Sequence, residues 1–484
     1  MKTGHKLLTR MCNSFYGAAT TYRQIDGEFT ARTYLDSAAS CLMLKPAYEA
    51  SLKFLDHYSN THSDTHNSAI ISNQMYKWAH AQVLQFVNAD PEEYTCIFMG
   101  SGSTAAINRV ARSLSAARPE KPGVLISLME HHSNDLPHRE THDFAEHIGC
   151  VGEGVDLGSM DLDALEAALS KHHDKIDYVA VTAASNVTGV VNPIHDIAQR
   201  AHAHGALVVV DASQILAHRA LSMQGIVGDG SDDIDAVVFS GHKIYAPGSP
   251  GVLVIRRSLI DGGAPMEFGG GMVDQVFKTE YTVTTKFPDR EEAGTPNILG
   301  AVNLGMCLDI MTRIGMDVIE QHESEMLSYL FNEMQSIAGI TIYGDTDLSL
   351  VPRTATISFN LAGVDHGLLA AILNDYFNLA LRNECFCAHP YVREMILQQL
   401  WDLDPDLEEA EIESKKGMVR ASFGLNNSID DAHRLVTALK EIDTRKDWYV
   451  SQYLRSEDGG FKHLKGSIDW NTYFCPSTVL ESVL

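Results

Sequence analysis

Between residues 70 and 310, stretches with helical periodicity alternate with short runs of apolar, often β-branched residues. Such runs show no polar alternation, which is typical of strands covered by helices on both faces. The pattern predicts βαβ units and an α/β fold with a large, mainly parallel sheet. The predicted strands are Thr95–Met99, Gly123–Ser127, Tyr178–Thr182, Leu207–Val210, Ala236–Phe239 and Val252–Ile255. Two intervening helices are predicted over Thr104–Ala117 and Ile194–His204.

The pattern changes after about residue 315, where long amphipathic helices and two further strand-like runs, Ala355–Asn360 and Met418–Phe423, predict a smaller α+β domain. We expect an N-terminal segment, 1–45, packing with that small domain, a large domain over 46–314 and the small domain over 315–442. The acidic stretch 402–416 and the extension 443–484 receive no predicted role.

Charge and cysteine content restrict the classes of partner. The chain has 37 lysine and arginine residues against 63 aspartate and glutamate residues, a net charge of −26. Such a surface repels nucleic acids and anionic membranes, so we expect neither as a partner. No apolar run approaches the roughly 18 residues of a spanning helix. Eight scattered cysteines and an N-terminus lacking an apolar signal core predict a reducing, cytoplasmic location.

Two ionisable residues follow predicted strands. Lys243 closes the segment Ser240-Gly-His-Lys243, and Asp211 ends the run that begins at Ala206. Lys243 is either an ordinary surface lysine or a Schiff-base lysine made nucleophilic by desolvation. Asp211 is either a helix cap or a buried carboxylate that needs a cation, such as a protonated pyridine nitrogen. The second interpretation of each residue would place a ligand with a carbonyl group and a basic ring nitrogen at the open end of the sheet.

The segment Gly100–Thr104 joins a strand to a helix and has the small hydroxyl residues and backbone amides of a phosphate site. Read through Ala105, it also fits G-x-G-x-x-A, and Glu130 lies where a ribose-binding acid would lie. A dinucleotide-binding dehydrogenase is therefore the alternative, although it gives Asp211 and Lys243 no task.

Other histidines and cysteines carry weaker signals. His131 follows a strand and could stack on a planar ring or relay protons. Cys385 and Cys387 form a Cys-x-Cys pair with no second pair to complete a metal site, and His62 and His66 lack the glutamate of a zinc motif, so no metal is expected. If this segment were extended, the two thiols would point to opposite sides.

Seven motifs then occur in an order that resembles the class V aminotransferase family, closest to its cysteine desulfurase and selenocysteine lyase group. They are Tyr34–Ala39, Glu130–Asn134, Ser185–Gly189, Val210–Gln214, Phe239–Lys243, Glu292–Asn297 and Val419–Ser422. The resemblance covers about residues 30 to 440. It implies the pyridoxal phosphate (PLP) dependent transferase fold of type I and a homodimer whose active sites lie between subunits.

The resemblance also implies roles for individual residues. Lys243 would be the Schiff-base lysine, Asp211 the partner of the pyridine nitrogen and His131 the stacking imidazole. Cys387 would accept sulfur and hand it to an acceptor protein. Further cofactor contacts would come from Gln214 to the ring hydroxyl, from Ser103, Thr104, Ser240 and His242 to the phosphate, and from Thr295 of the other subunit. The substrate carboxylate would be bound by Asn186, Arg382 and Arg420.

Several positions depart from the family pattern. Ala105 replaces a glutamate, Cys-Phe-Cys-Ala-His-Pro replaces the more usual His-Cys-Ala, and the extension beyond residue 443 has no counterpart. The resemblance predicts a cysteine desulfurase that converts cysteine to alanine and an enzyme persulfide. The alternatives are transamination, epimerisation or C–S cleavage of another amino acid, and a catalytically silent scaffold.

Overall fold

The computed structural model describes residues 3–403, 408, 412, 416–456, 459–466 and 468–484. Most of the acidic stretch 402–416 therefore lies outside the described residues. The α-helices are, in chain order, α1 (Thr3–Cys12), α2 (Lys45–Phe54), α3 (Asn67–Phe86), α4 (Gly102–Ala117), α5 (Leu136–Thr141), α6 (Leu162–His172), α7 (Ile194–Ala203), α8 (Ile298–Ile314), α9 (Met316–Met334), α10 (His366–Phe377), α11 (His389–Leu403), α12 (Ile429–Thr444), α13 (Lys446–Val450) and α14 (Pro476–Val483).

The strands are likewise numbered along the chain. They are β1 (Thr21–Arg23), β2 (Phe29–Ala31), β3 (Thr33–Tyr34), β4 (Tyr94–Met99), β5 (Gly123–Ser127), β6 (Phe144–Ile148), β7 (Ile176–Thr182), β8 (Leu207–Asp211), β9 (Ala236–Ser240), β10 (Gly251–Arg256), β11 (Val273–Val276), β12 (Tyr281–Val283), β13 (Ile340–Tyr343), β14 (Thr356–Leu361), β15 (Leu379–Ala380), β16 (Arg382–Glu384), β17 (Met418–Ser422), β18 (Tyr453–Arg455) and β19 (Phe461–His463).

The largest sheet has seven strands in the order β4-β10-β9-β8-β7-β5-β6. Only β10 runs against its neighbours, so the other six strands point the same way. This confirms the predicted α/β class with a mostly parallel sheet. All six predicted strands are present to within two residues at each end.

Helices cover both faces of this sheet, as the unbroken apolar runs predict. Alternate residues of each strand face opposite sides. On one side Ile97, Ile126 and Val209 pack against α4, and on the other Phe98 and Val208 belong to the core that includes α3, α7 and α8. The strand ends are thereby fixed between two apolar layers.

A second sheet has four antiparallel strands in the order β13-β14-β17-β16. Its core is shared with α9, α10 and α12. The N-terminal segment reaches this part of the molecule because β3 pairs in parallel with β15, and Asp36 bridges to Ser422 at the end of β17. This pairing brings β17 towards the open end of the large sheet.

The C-terminal extension has more structure than its sequence indicates. After α13, strands β18 and β19 form a hairpin against α10, where the Tyr453 hydroxyl donates to Asp375 at 3.0 Å and Tyr376 pairs with His463 at 2.8 Å. Farther on, the Tyr473 hydroxyl accepts from the backbone N–H of Arg23 in β1.

No single helix in the described ranges is both long and apolar enough to cross a membrane. Helices α8 and α9 reach that length and composition only as a pair bent by 78°. Most of α8 is buried in the core of the large sheet.

Candidate active site

A cavity of about 340 Å³ lies where the carboxyl ends of β4, β5, β7, β8 and β9 meet. In open α/β sheets this edge is the usual place for a ligand. We call it the central cavity. It is lined by Ala38, Ala39, Ser101, Gly102, Ser103, Thr104, His131, Ser133, Asn186, Asp211, Ser240, His242, Lys243, Arg382, Phe386, Cys387 and Arg420.

Lys243 enters the cavity from a single 3-10 turn, Gly241–Lys243, that follows β9 directly. Burial lowers the pKa of its ammonium group below the usual value, and the negative charge of Asp211 opposes this only in part. A lowered pKa increases the share of neutral, nucleophilic amine at neutral pH.

Asp211 is the last residue of β8 and is buried. Its Oδ1 accepts a hydrogen bond from the backbone N–H of Ser213 at 2.9 Å, and the side chain also lines the cavity. A buried carboxylate is stable when a cation lies beside it. The cavity therefore has an anionic wall facing the amine of Lys243.

Hydroxyl groups and the start of α4 form a second wall. The Ser103 backbone N–H donates to Ser240 Oγ at 2.7 Å, and the Ser240 hydroxyl donates to Ser103 Oγ at 3.0 Å. Thr104 Oγ1 lies 2.8 Å from Ser133 Oγ. These hydroxyls, together with the positive end of the helix dipole, suit an anion such as a phosphate group.

Gly102 allows the close approach of α4 to β9. Its φ of +62° is unfavourable for other residues, and an added Cβ would lie only 2.8 Å from Ser240 Oγ. Ser240 can therefore pack against the first turn of α4 because residue 102 has no side chain.

Two imidazoles at the cavity are held neutral. Burial and the nearby charge of Lys243 lower the pKa of His131 to about 3 and that of His242 to about 4. The Nδ1 atom of His131 accepts from the Ser133 backbone N–H at 3.1 Å, which fixes its ring, and His242 Nδ1 lies 3.2 Å from Ser40 Oγ. A neutral, oriented imidazole can stack on a planar ring or accept a proton.

Arg420 supplies a buried positive charge from β17. Its guanidinium donates to the Asn186 backbone oxygen at 2.8 Å and to Asp36 Oδ1 at 3.2 Å. Burial lowers its pKa to about 10, so the group remains cationic at neutral pH. Arg382, at the start of β16, also lines the cavity but is exposed. The motif Tyr34–Ala39 had suggested no role for Asp36, whose pairing with Arg420 depends on the fold.

The two neighbouring cysteines differ in their surroundings. Cys385 is buried in a small apolar cluster, whereas Cys387 is exposed and lines the cavity. The condition of an extended segment, under which the two thiols would point to opposite sides, is not met, because Phe386 and Cys387 have φ values of +52° and +56°. A turn, rather than strand alternation, separates the two thiols.

Two residues assigned by resemblance lie outside the lining. The Gln214 side chain is buried and donates to the Ala38 backbone oxygen at 2.8 Å. Thr295 is exposed, and its hydroxyl accepts from Asn60 at 3.1 Å. One chain alone does not bring Thr295 to the central cavity.

The dinucleotide alternative is not supported at Glu130. This residue is 3% exposed and accepts hydrogen bonds from Ser127, from Asn134 at 2.6 Å and from the Thr182 backbone at 2.7 Å. Burial raises its pKa to about 8. The carboxyl group ties three segments together below the cavity and cannot reach a ribose.

Within the ranges that the structure describes, no group of three or more histidine, cysteine, aspartate or glutamate side chains is arranged to hold a metal ion.

Sequence and structure comparisons give a consistent assignment. The class V aminotransferase family matches residues 33–435. A cysteine desulfurase from Enterobacter sp. (strain 638) is 33% identical over 414 residues, which is 84% of this chain and 93% of the relative. A cysteine desulfurase from Yersinia pestis is 32% identical over 430 residues, covering 87% and 95%.

Solved structures agree with this result. A cysteine desulfurase from Thermococcus onnurineus NA1 superimposes with a TM-score of 0.73 at 27% identity, over 85% of this chain and 95% of that one. A cysteine desulfurase from Escherichia coli gives 0.68 at 25% identity, over 85% and 94%. With the family match spanning most of the sequence, the chain belongs to the class V aminotransferase family of PLP-dependent enzymes and has their fold type I architecture.

Proposed function

We propose that this protein is a cysteine desulfurase, which converts L-cysteine to L-alanine and leaves the sulfur as a persulfide on Cys387. The observation that carries the proposal is that one cavity is lined by the amine of Lys243, the carboxylate of Asp211, the guanidinium of Arg420 and the exposed thiol of Cys387. The two relatives named above are cysteine desulfurases, and this chain aligns with nearly the whole length of each.

The chemistry of the cavity fits PLP. The α4 end, Ser103, Thr104, Ser240 and His242 would hold the phosphate, Asp211 the pyridine nitrogen, His131 the ring face and Gln214 the ring hydroxyl. Because Gly102 has no Cβ to press against Ser240, the start of α4 and the Ser240 hydroxyl lie side by side at the cavity, where both could face a phosphate. When bound, PLP supplies an aldehyde that condenses with amines and a ring that withdraws electrons from a substrate carbanion.

Lys243 then has two tasks in succession. Its amine would hold the cofactor in the absence of substrate, and with cysteine bound the same amine would be free to take the proton from the substrate Cα. Asp211 would keep a proton on the ring nitrogen, since that positive charge would stabilise its buried carboxylate.

Arg420, Asn186 and Arg382 would bind the substrate carboxylate. A guanidinium matches a carboxylate with two parallel hydrogen bonds. The cation of Arg420 is held in place by Asp36 and by the Asn186 backbone oxygen. A substrate anchored there has its side chain free to face Cys387, which lines the same cavity.

The sulfur transfer needs no oxidant or other reactant besides cysteine and the Cys387 thiol. The Cys387 thiolate attacks the substrate sulfur, an S–S bond forms and the Cβ–S bond breaks. The electron pair of that bond stays on Cβ, which takes up a proton and becomes the methyl group of alanine. The persulfide on Cys387 would then be collected by an acceptor protein.

The pair of cysteines offers the matched test. With L-cysteine as substrate, the Cys387→Ser variant should release alanine only at background rate, whereas Cys385→Ser should remain active. Trapping of the persulfide and mass spectrometry should locate the extra sulfur atom on the peptide of Cys387. If Cys387→Ser released alanine at the wild-type rate, Cys387 would not be the sulfur acceptor and the proposal would fail. If the wild-type enzyme consumed cysteine without releasing alanine, the activity would instead be transamination, epimerisation or another C–S cleavage.

A further inference from the structure

The turn that carries Cys387 has a strained backbone. Glu384, Phe386 and Cys387 have φ values of +101°, +52° and +56°. Residues other than glycine rarely adopt such values, and they persist only where neighbouring groups fix them. The position of the thiol therefore depends on the contacts that hold this turn.

One set of contacts holds Phe386, the residue before the thiol. The Asn186 side-chain amide donates to the Phe386 backbone oxygen at 2.7 Å, and the Arg420 guanidinium lies 4.5 Å from the Phe386 ring centre. Both partners were already assigned to the substrate carboxylate.

A second set comes from His132, a residue that has no part in the chemistry described so far. Its backbone N–H donates to the Cys387 backbone oxygen at 2.7 Å. Its ring Nε2 lies 3.4 Å from the backbone N–H of His389, which donates to it, and the two imidazole rings meet edge to face at 4.8 Å. His132 thus bonds to the chain at Cys387 and again two residues later.

We propose that His132 is the positioning residue for the sulfur-accepting thiol, and that its ring holds the turn through the His389 N–H so that Cys387 faces the central cavity. This inference rests on the proposed desulfurase function. It assigns a task to the second histidine of Glu130-His-His-Ser-Asn134 and to a histidine two residues beyond the thiol.

The contact requires an unprotonated ring. A backbone N–H can only donate, so Nε2 of His132 must keep its lone pair. Burial and the neighbouring His389 lower the pKa of His132, as do Arg139 and Lys416, while Asp135 opposes them. The neutral form therefore persists to lower pH than in an ordinary histidine. Protonation would replace the acceptor by a donor and release the turn.

Two substitutions of His132 test whether the hydrogen-bond acceptor or only the size of the side chain matters. The amide oxygen of His132→Gln can accept from the His389 N–H in place of Nε2, whereas His132→Leu fills space without an acceptor. In the PLP-loaded enzyme, His132→Leu should lower kcat for alanine release and the single-turnover rate of persulfide formation ~10-fold or more, because a misplaced reacting group costs about that much. KM for cysteine should change little, and His132→Gln should restore most of kcat.

Two substitutions at His389 approach the same bond from the donor side. His389 is the first residue of α11, where proline is tolerated and removes the N–H. His389→Pro should therefore behave like His132→Leu, whereas His389→Ala, which keeps the N–H and loses only the ring contact, should lose less activity than His389→Pro. The absorbance of bound PLP reports folding in each variant, and His57→Leu, at an exposed histidine, is the control.

Alkylation of Cys387 shows whether a loss of activity comes from a thiol that is no longer accessible or from one that is wrongly placed. Iodoacetamide should modify Cys387 in His132→Leu at least as fast as in wild type, since the exposed thiol needs no correct orientation for that reaction. The pH profile adds a further readout. At pH values below the range in which an ordinary histidine titrates, the kcat of wild type should fall more steeply than that of His132→Gln, which has no imidazole to protonate.

A wild-type kcat in both His132→Leu and His389→Pro, or equal losses in His132→Gln and His132→Leu, would overturn the inference. Measuring Cys387→Ser in parallel shows whether only the role of His132 fails or the desulfurase function fails as well. If that variant is inactive while His132→Leu is normal, only the role of His132 is lost. If Cys387→Ser keeps the wild-type rate, the desulfurase proposal fails as well.

Discussion

Asp211 ends β8 and Lys243 lies in the turn after the adjacent strand β9, and the surroundings of the two side chains favour different charge states. The amine is desolvated, which favours its neutral form, while the buried carboxylate requires a positive charge beside it. The two side chains therefore complement a ligand that carries an electrophilic carbon and a protonated nitrogen.

The first prediction concerns Lys243. Purified protein supplied with PLP should be yellow, and borohydride should fix a pyridoxyl group on the Lys243 peptide, because this amine lies in the cavity and its lowered pKa favours the nucleophilic form. Mass spectrometry of the digest measures this, with Lys243→Ala as the control that should remain unlabelled. Labelling of a different lysine would contradict the assignment.

The second prediction concerns Asp211. The Asp211→Asn variant should retain bound PLP, seen by its absorbance, yet lose ~10³-fold or more in turnover, because an uncharged ring withdraws electrons poorly. Asp430→Asn, at an exposed carboxylate on α12, serves as the control. Near-normal turnover in Asp211→Asn would remove Asp211 from this role.

For individual residues, the sequence predicts a place in the site only where a local pattern, such as the end of an apolar run, sets that place. An apolar run ending in Asp211 or followed by Lys243 predicts a polar group at the open end of a sheet. The contact between His132 and His389 has no such signal. The two residues are 257 positions apart, and their bond exists only because α11 begins beside the turn after β5.

Among the secondary-structure elements at the cavity, α4 and β9 meet through Gly102, Ser103 and Ser240. The Ser103 backbone donates to Ser240 Oγ, and Gly102 permits this distance. A side chain at residue 102 would both strain the backbone and push against Ser240.

The third prediction compares two glycines in the same loop. Gly102→Ala should raise the dissociation constant for PLP by ~10-fold, equivalent to about 1.4 kcal/mol, because the Cβ crowds the phosphate cradle. Gly100→Ala is the matched control, since nothing lies within 4 Å of its Cβ position. PLP titration followed by fluorescence measures both, and equal affinities would show that the cradle tolerates a methyl group.

Strand prediction succeeds or fails according to burial. The strands β5, β7 and β9 are buried throughout and stand out as apolar runs. Strand β6 was missed because it is half-buried at the edge of the sheet and contains Glu146 and His147. Its strand conformation is set by pairing with β5 rather than by its own composition.

At the scale of the whole molecule, segments distant in sequence complete the site and its surroundings. Asp36 from the N-terminal part anchors Arg420 of β17, and the extension after α12 packs on α10. No local periodicity reveals such packing, which is why the extension carried no prediction. The hairpin of β18 and β19 is stabilised by Tyr453 and His463 against Asp375 and Tyr376.

Thr295 raises the question of how many chains form one active site. Its loop is anchored by Glu292, which accepts from Tyr76 at 2.6 Å, from the Phe98 backbone at 2.6 Å and pairs with His80 at 2.9 Å. Thr295 itself is exposed and outside the central cavity. A firmly held loop with an outward-facing hydroxyl suits a residue that serves a neighbouring subunit.

The last prediction therefore is a homodimer with shared sites. Lys243→Ala and Thr295→Ala subunits, each impaired as homodimers at limiting PLP, should regain activity when unfolded and refolded together. In the mixed dimer, the subunit that keeps Lys243 receives an intact Thr295 from its partner. Random pairing makes half of the dimers mixed with one good site each, so roughly a quarter of wild-type activity is expected. The control is a mixture of Thr295→Ala with a variant that carries both Lys243→Ala and Thr295→Ala. It should regain no activity, because no subunit then has an intact Thr295 to offer. Size-exclusion chromatography and mass spectrometry should confirm that mixed dimers form. If they form but the first mixture regains no activity, Thr295 acts within its own subunit. A purely monomeric active enzyme would exclude shared sites altogether.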